Sequence, residues 1–437
     1  MRKQSTLRRF ARYVIPSVTG MLVTSLYVVV DGVFVGRGVG PHGLAAINLV
    51  WPFIAVYIAV AMMIGVGGAA LCAHALGGDQ PQEAQALFGQ SLWLILGAGA
   101  VFTLAGFFLT PVLCRLLGAD EAILPHCVDY LRWYMVFAIP NGLSMVYGAF
   151  ARNDNDPALA FVAMIAGSVL NVALDYVAIF VLQGGMVGAA VATGLGQLAS
   201  ALMLGMHFTL RRGRLRLALP RPHRPTMGLL LRTGTPELLQ NLCCPVSMLA
   251  YNYALMLSVG AQGVAAYGII AYILTILTSL FTGVSQGIQP ILSYSCGAGD
   301  TPSLRRFFRL GLGLNLGLSA LLCLLLWVFK RQAIGVFTTD AALARVALEA
   351  FGLYLPSCLF GAVNVVCVTY FLSVRQIGFA NLLSFARGVV LILLFILLLP
   401  PVLGTAGIWL TITAAEAGTL LLALWCFLRL QRGGVSP

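Results

Sequence analysis

Charge is what this chain has least of. Only 9% of its 437 residues are Asp, Glu, Lys or Arg, against roughly 25% in a soluble domain. Acid is scarcer than base: 14 Asp and Glu stand against 26 Lys and Arg, with five His. A chain so poor in charge cannot cover a water-facing surface, which excludes an ordinary soluble enzyme or binding domain. The ten cysteines include no C-x-x-C pair, so neither a zinc site nor a disulfide framework is expected. The glycine-rich stretches "GRGVGPHG" and "GVGG" follow no strand and precede no Lys-Ser/Thr. A phosphate loop is excluded, and with it an ATP-driven pump on this chain. No His/Asp cluster or Ser/His arrangement suggests a membrane enzyme, and no organic cofactor is expected.

What the chain does have is apolar sequence. Hydrophobic residues make up 60% of it, and a transmembrane helix needs about 20 mostly apolar residues. Twelve such stretches are centred near residues 25, 60, 100, 139, 170, 198, 245, 278, 319, 362, 389 and 417. The expected fold is therefore an all-α membrane protein of twelve spans with short loops. The bases are unevenly placed. Arg2, Lys3, Arg8, Arg9 and Arg12 precede span 1, and Arg211, Arg212, Arg214, Arg216, Arg221, Arg224 and Arg232 lie in a central linker. Arg305, Arg306 and Arg309 follow span 8, Arg429 and Arg432 follow span 12, and Arg152 and Arg375 fall on the same side. That side carries 19 Lys/Arg against 6 on the other, with Arg387 left inside a span. This is the positive-inside bias, so both termini and the linker are expected in the cytoplasm. The same bias explains the basic linker without any nucleic acid. No cleavable leader is expected, because the basic residues 1–12 run into a full span.

The linker "RRGRLRLALPRPHRPT" divides the chain near its midpoint. "GVGPHGLAAINLVWPFIAVY" before it pairs with "SVGAQGVAAYGIIAYILTIL" after it at an offset of 220 residues. "GGMVGAAVATGL" pairs with "LGTAGIWLTITA" at an offset of 219. The organisation is thus an N-terminal half over 1–209, a linker over 210–232 and a C-terminal half over 233–437. Six spans per half place the repeats in parallel, related by a pseudo-two-fold axis along the membrane normal. Transporters use that arrangement, with a substrate site between repeats.

Four motifs, in order, resemble one family. "VVVDGVFVGRGVG", "NVALDYVAIF", "GMVGAAVATGLGQ" and "QGIQPILSYSCGAGD" are similar to segments of helices 1, 5, 6 and 8 of the multidrug and toxic compound extrusion (MATE) transporters. The resemblance spans essentially the whole chain. It implies a monomeric secondary exporter in the cell inner membrane, moving organic cationic or amphipathic compounds outward by H⁺ or Na⁺ antiport. Two departures stand out. Tyr176 occupies the place of a usual proline, and "RNDNDP" replaces a glycine-containing R-G-x-G-x-P turn, which bears on the flexibility of the loop between spans 4 and 5.

An ionisable side chain inside a span is costly and marks function by default. Asp31 lies about 28 Å along span 1 and Asp175 about 26 Å along span 5 at 1.5 Å per residue, with Asn171 one turn below and Thr193 at similar depth in span 6. Two carboxylates, an amide and a hydroxyl suit a proton or a hard cation such as Na⁺. The resemblance assigns coupling to Asp31, Asn171, Asp175 and Thr193, more weakly to Tyr130, and a bend of helix 1 to Pro16. The bland alternative is a polar cluster that pins helices together, with interhelical hydrogen bonds contributing about 0.6–2 kcal/mol each. Against it, the repeat puts Tyr251, Val390 and Leu394 opposite Asp31, Asn171 and Asp175. A purely structural need would recur in both halves.

Three further charges need an account. Arg387 and Glu416 come out at equal depth near mid-membrane on adjacent spans. They are expected to contact each other, either as a buried ion pair or as a second polar site in transport. Glu237 follows Thr235 and Pro236 at the expected start of span 7, where a capped first turn explains an acid; a substrate role is the sharper reading. Trp51, Tyr57, Met62, Tyr134, Tyr147, Tyr253 and Tyr272 are candidates to line a cavity for flat cations through cation–π and sulfur contacts. The alternative cargo on this fold is a lipid-linked or polar metabolite, moved by a flippase. Such a cargo calls for several bases inside the membrane, and Arg387 stands alone.

Overall fold

The computed structural model describes residues 6–210, 213–338 and 340–432. Arg2, Lys3, Arg211 and Arg212 of the basic clusters lie outside them. Among the described residues, nine helices are long and apolar enough to cross a membrane. They are span 1 (Thr6–Gly38), span 2 (Pro41–Gly77), span 3 (Pro81–Phe108), span 5 (Pro157–Val181), span 6 (Gly185–Thr209), span 8 (Ala261–Gly297), span 9 (Thr301–Val328), span 11 (Ile377–Leu403) and span 12 (Thr405–Gln431). Two bent pairs add span 4 (Leu124–Val136 with Ala138–Asn153, 52°) and span 10 (Ala341–Tyr354 with Ser357–Ser373, 46°). The twelfth is span 7, Arg224–Ser258, long enough but too polar to pass on apolarity.

Span 7 corrects the sequence reading. Its helix begins at Arg224, with Pro225 in the first turn where a missing N–H costs nothing. Thr235 and Pro236 are therefore inside the helix and cap nothing, and Glu237 is not a first-turn acid. Hydropathy placed the start too late because an interfacial basic turn is helical without being apolar.

The repeat is visible in the backbone. Left-handed residues recur at matched turns: Gly40 and Gly260 (φ +97° and +81°), Asp79 and Gly299 (+57° and +66°), Asn155 and Arg375 (+69° and +62°), Gly185 and Gly404 (+53° and +59°). The loop between spans 4 and 5 keeps the conformation that its missing glycine would have supplied, because Asn tolerates this region better than most residues. Its neighbours hold it firmly. Asp154 accepts from the backbone N–H groups of Arg214 and Leu215 and pairs with His207 Nε2 at 3.1 Å. Asp156 caps span 5 through Leu159 N, and Asn155 takes Arg12 Nη2 on its carbonyl and Tyr13 OH on its side chain. The linker is equally fixed. Gln85 and Gln90 of span 3 hydrogen-bond the backbone of Arg216, Arg221 and His223, and Trp93 donates to Pro220 O.

The halves exchange their first turns. Leu230 of span 7 is fully buried in the core of the N-terminal half with Phe88, Phe150 and Phe208. Phe10, Tyr13 and Val14 of span 1 are buried in the C-terminal half with Val284 and Ile288. At the crossings the chains meet backbone to backbone. A Cβ on Gly67 would lie 2.7 Å from Gly234 Cα, and one on Gly287 2.7 Å from Val14 Cα. A Cβ on Gly77 would strike Tyr294 O, and its counterpart on Gly297 would strike His74 O. Small residues let transmembrane backbones approach this closely. Burial follows the same gradient. Residues 64–73 of span 2 and 287–293 of span 8 are unbroken buried runs towards the termini side. Trp51, Tyr253, Met256 and Tyr272, towards the opposite side, are exposed. The two halves are packed backbone to backbone at the termini side.

In the C-terminal half the expected ion pair forms. Arg387 Nε lies 2.6 Å from Glu416 Oε1 with side chains 18% and 12% exposed. Asn364 Nδ2 donates to Glu416 Oε2 at 2.7 Å and to Glu416 O at 2.8 Å. Arg387 sits in a π-helical turn, Ala386–Val390, that widens span 11 at this depth. Removing one member of a buried pair typically costs about 3–5 kcal/mol, while replacing both by apolar groups can be nearly neutral. Arg387→Leu and Glu416→Leu are each expected to lower the melting temperature in detergent, and the double variant to regain most of the loss. Losses that simply add would show that the pair is not a unit. The closure has its own test. With Cys296 as the sole cysteine, Gly77→Leu is expected to raise its maleimide labelling several-fold; an unchanged rate would mean the closure does not need that glycine.

Candidate functional site

The polar groups of the N-terminal half gather where spans 1, 4, 5 and 6 face one another. Asp175 is fully buried at the last α-helical residue of span 5, and Asn171 lies one turn before it, 3% exposed. From Tyr176 to Val181 the helix continues as a π-turn. Tyr176 keeps its backbone N–H, so the helix can continue past Asp175, and π-bulges frequently mark functional sites. Asp31 of span 1 approaches Asp175 closely enough for their carboxyls to interact, and Asn171 joins them. Asn171 Nδ2 donates to Thr193 Oγ1 at 3.3 Å, and Thr193 donates to Ala189 O at 3.1 Å.

Four of these oxygens have no hydrogen-bond donor of good geometry. Asp31 Oδ1, both oxygens of Asp175 and Asn171 Oδ1 are all buried and unpartnered. Buried polar atoms of native proteins are seldom left so, and a cluster of them needs a physical reason. Carboxylate and amide oxygens converging in an apolar setting can share a proton or ligate a hard cation.

Tyrosines form the roof. Tyr130 and Tyr134 are buried, their rings 5.9 Å apart, and Tyr134 OH accepts from Asn141 Nδ2 at 2.9 Å. Both rings lie within electrostatic reach of Asp31, as does Tyr27. The sequence reading missed Tyr27 and Asn141. Tyr27 stands one turn before Asp31 on the same helix, so the i, i+4 rule was the available signal. Pro16 is not part of this cluster. It lies fifteen residues earlier in span 1, about 22 Å along the helix, and the helix runs unbroken through it.

The aromatic candidates divide. Tyr57 is fully buried, packs on Phe102 and donates to Ala138 O. Tyr147 is buried among Phe88 and Phe208 in the core. Their rings fill the interior of the N-terminal half. Met62 packs against Val66, Ala70 and Leu372 where the halves meet. Trp51 is 47% exposed, Tyr253 69% and Tyr272 64%, with Tyr272 stacked on Phe337. Glu237 appears elsewhere, on the wall of a narrow cavity between the halves that it shares with Arg152. Among the described residues no three His, Cys, Asp or Glu converge as metal ligands.

Comparison with known proteins places this architecture. The MatE family model matches the chain twice, over residues 16–177 and 236–397, one match in each half. The multidrug export protein MepA of Staphylococcus saprophyticus is 24% identical over 425 residues, covering 97% of this chain and 93% of that protein. The probable multidrug resistance protein YoeA of Bacillus subtilis is 26% identical over 432 residues, covering 96% and 93%. Among solved structures, a multidrug resistance MATE family transporter of the MOP superfamily in an outward-facing conformation superposes with a TM-score of 0.92 at 24% identity, over 98% of this chain and 97% of that one. The relatives are named as export and resistance proteins rather than enzymes, and the chain belongs to the MatE family.

Proposed function

We propose that this protein exports organic cationic or amphipathic compounds across the cell inner membrane by antiport with H⁺ or Na⁺. The observation that supports the coupling is the set of four buried, unpartnered oxygens on Asp31, Asn171 and Asp175. An export cycle needs a group whose charge state differs between the two open states. Two carboxyls forced together in an apolar pocket supply one, because both cannot stay ionised and unpaired. A proton or a Na⁺ satisfies them, and Thr193 and Asn171 fix their geometry. Tyr130, Tyr134 and Tyr27 complete the wall. Pro16 is the point at which span 1 bends as that charge changes, since a helix-interior proline removes one backbone hydrogen bond. The relatives named for multidrug export support the cargo class. The protein works as a monomer, with its termini and linker in the cytoplasm.

Reconstituted vesicles loaded with a fluorescent organic cation are expected to lose it when a pH or Na⁺ gradient is imposed. Asp31→Asn and Asp175→Asn are each expected to abolish that efflux with membrane expression intact, since removing a charge from a span does not hinder insertion. Full efflux by both variants would remove the assigned site. Orientation has a separate readout. A single cysteine at exposed Pro222 is expected to resist membrane-impermeant maleimide in intact cells and to react after lysis; labelling from outside would invert the topology.

A further inference from the structure

The cavity that holds Glu237 lies on the pseudo-two-fold axis. Spans 2 and 4 of one half and spans 7, 8 and 10 of the other enclose it, above the glycine closure. Its volume is about 30 Å³, room for one or two waters. Its chemistry is lopsided. The C-terminal half contributes Glu237, Gln240, Ser285, Gln286 and Gln289. At an offset of 220 residues the N-terminal half has Ser17, Gly20, Gly65, Val66 and Ala69. The N-terminal half contributes one charge, Arg152, whose counterpart is Leu372. Both Arg152 and Leu372 line the cavity. Val66, the counterpart of Gln286, lines the cavity as well, so at two matched pairs an apolar side chain and a polar one share the same wall; packing alone does not require the polar ones.

Neither charge is spent elsewhere. Among the described residues the ion pairs are His207 with Asp154 and Asp156, and Arg387 with Glu416. Ser285 is 4% exposed, faces the same cavity, and its Oγ has no hydrogen-bond partner. Desolvating an unpaired carboxylate and an unpaired guanidinium is expensive. Such groups persist where a ligand matches them in another state.

We propose that this chamber is a bipolar cargo subsite. Glu237 takes a positively charged group, Arg152 takes a carboxylate, and the amides and Ser285 hydrogen-bond the body between them. A zwitterionic organic molecule is thus held by both halves, while a simple organic cation is held through Glu237 alone. The site accepts cargo when the halves part at the termini side. It expels cargo when they close, because the remaining volume admits only water. This rests on the export reading above and adds to it which cargo charges are recognised, and by which residues.

Rhodamine 123 and rhodamine 110 test it. They share one xanthene core, and the methyl ester of the first leaves a cation where the free carboxylate of the second makes a zwitterion. Glu237→Gln is expected to reduce binding and efflux of both dyes at least tenfold. Arg152→Gln is expected to reduce rhodamine 110 by a similar factor and to leave rhodamine 123 unchanged or raised. Glu237→Asp and Arg152→Lys are expected to restore part of each loss, with melting temperatures within the wild-type range. Equal loss of both dyes in Arg152→Gln, or undiminished rhodamine 123 in Glu237→Gln, would overturn the proposal. Dye binding to the purified full-length chain, read by fluorescence anisotropy, needs no gradient. If the wild-type chain shows the charge-selective binding pattern but no gradient-driven efflux, the export reading fails and the subsite stands. If efflux proceeds without that pattern, the reverse holds.

Discussion

Backbone-to-backbone contact between the halves is the constraint on which the rest depends. Lipid supplies no hydrophobic drive to press helices together, so association rests on close packing and interhelical hydrogen bonds. Gly67 on Gly234 and Gly287 on Val14 are the two copies of one crossing, and Gly77 on Tyr294 and Gly297 on His74 are the two copies of another. Because each contact occurs twice about the axis, losing one weakens half of a symmetric clasp. The clasp holds the two halves together at the termini side. It also explains why the first turns of spans 1 and 7 lie in each other's half: a helix crossing at a glycine continues into the facing core.

On that symmetric backbone the chemistry is distributed unequally. The N-terminal half holds Asp31, Asp175 and Asn171 with unpartnered oxygens. At the position matching Asp31 the C-terminal half holds Tyr251, fully buried, donating to Ile408 O at 2.5 Å, with its ring 4.7 Å from Tyr267. The C-terminal half keeps its mid-membrane pair neutralised. Glu416 has Arg387 on one oxygen and Asn364 on the other. A satisfied cluster rigidifies, whereas an unsatisfied one can change state. The pair therefore reads as part of the frame, and the open cluster as the part free to respond.

The sequence showed the frame and the charges, and it blurred the surfaces. The repeat paired the segments in which Gly40 and Gly260, and Gly185 and Gly404, turn out to be left-handed, but Asp79, Asn155 and Arg375 gave no such sign, because a non-glycine residue at positive φ looks ordinary in sequence. Asp31, Asp175, Arg387 and Glu416 were legible because a charge in an apolar run stands out. Glu237 was misread because span 7 is polar at its start, so the hydropathy edge and the helix edge part company. Tyr57 and Tyr147, whose rings are buried in the core, were ambiguous in sequence for a different reason. An aromatic residue in a span looks the same whether it faces a cleft, a lipid or a core, and only packing separates them. Arg152 was assigned to topology alone, since nothing local to span 4 reveals that its end abuts the other half.

Span 1 joins the two themes. Asp31 stands in the oxygen cluster, while Phe10, Tyr13 and Val14, on the same continuous helix, are buried in the opposite half. Eighteen residues separate Tyr13 from Asp31, about 27 Å of helix. A helix of that length transmits a tilt unless it has a weak turn, and Pro16 creates one next to the clasp. Its ring leaves the carbonyl of Arg12 without a helical donor. Ser17 Oγ and Thr19 Oγ1 turn back onto Tyr13 O and Ile15 O at 2.9 Å and 2.7 Å, the side-chain bonding that bends helices. Pro236 occupies the matching place in span 7, just beyond Gly234, so the same weak turn is built into both crossings. A bend at either proline moves the outer length of its span while the first turns stay locked in the other half. The clasp can then hold or release without the cores of the two halves being repacked.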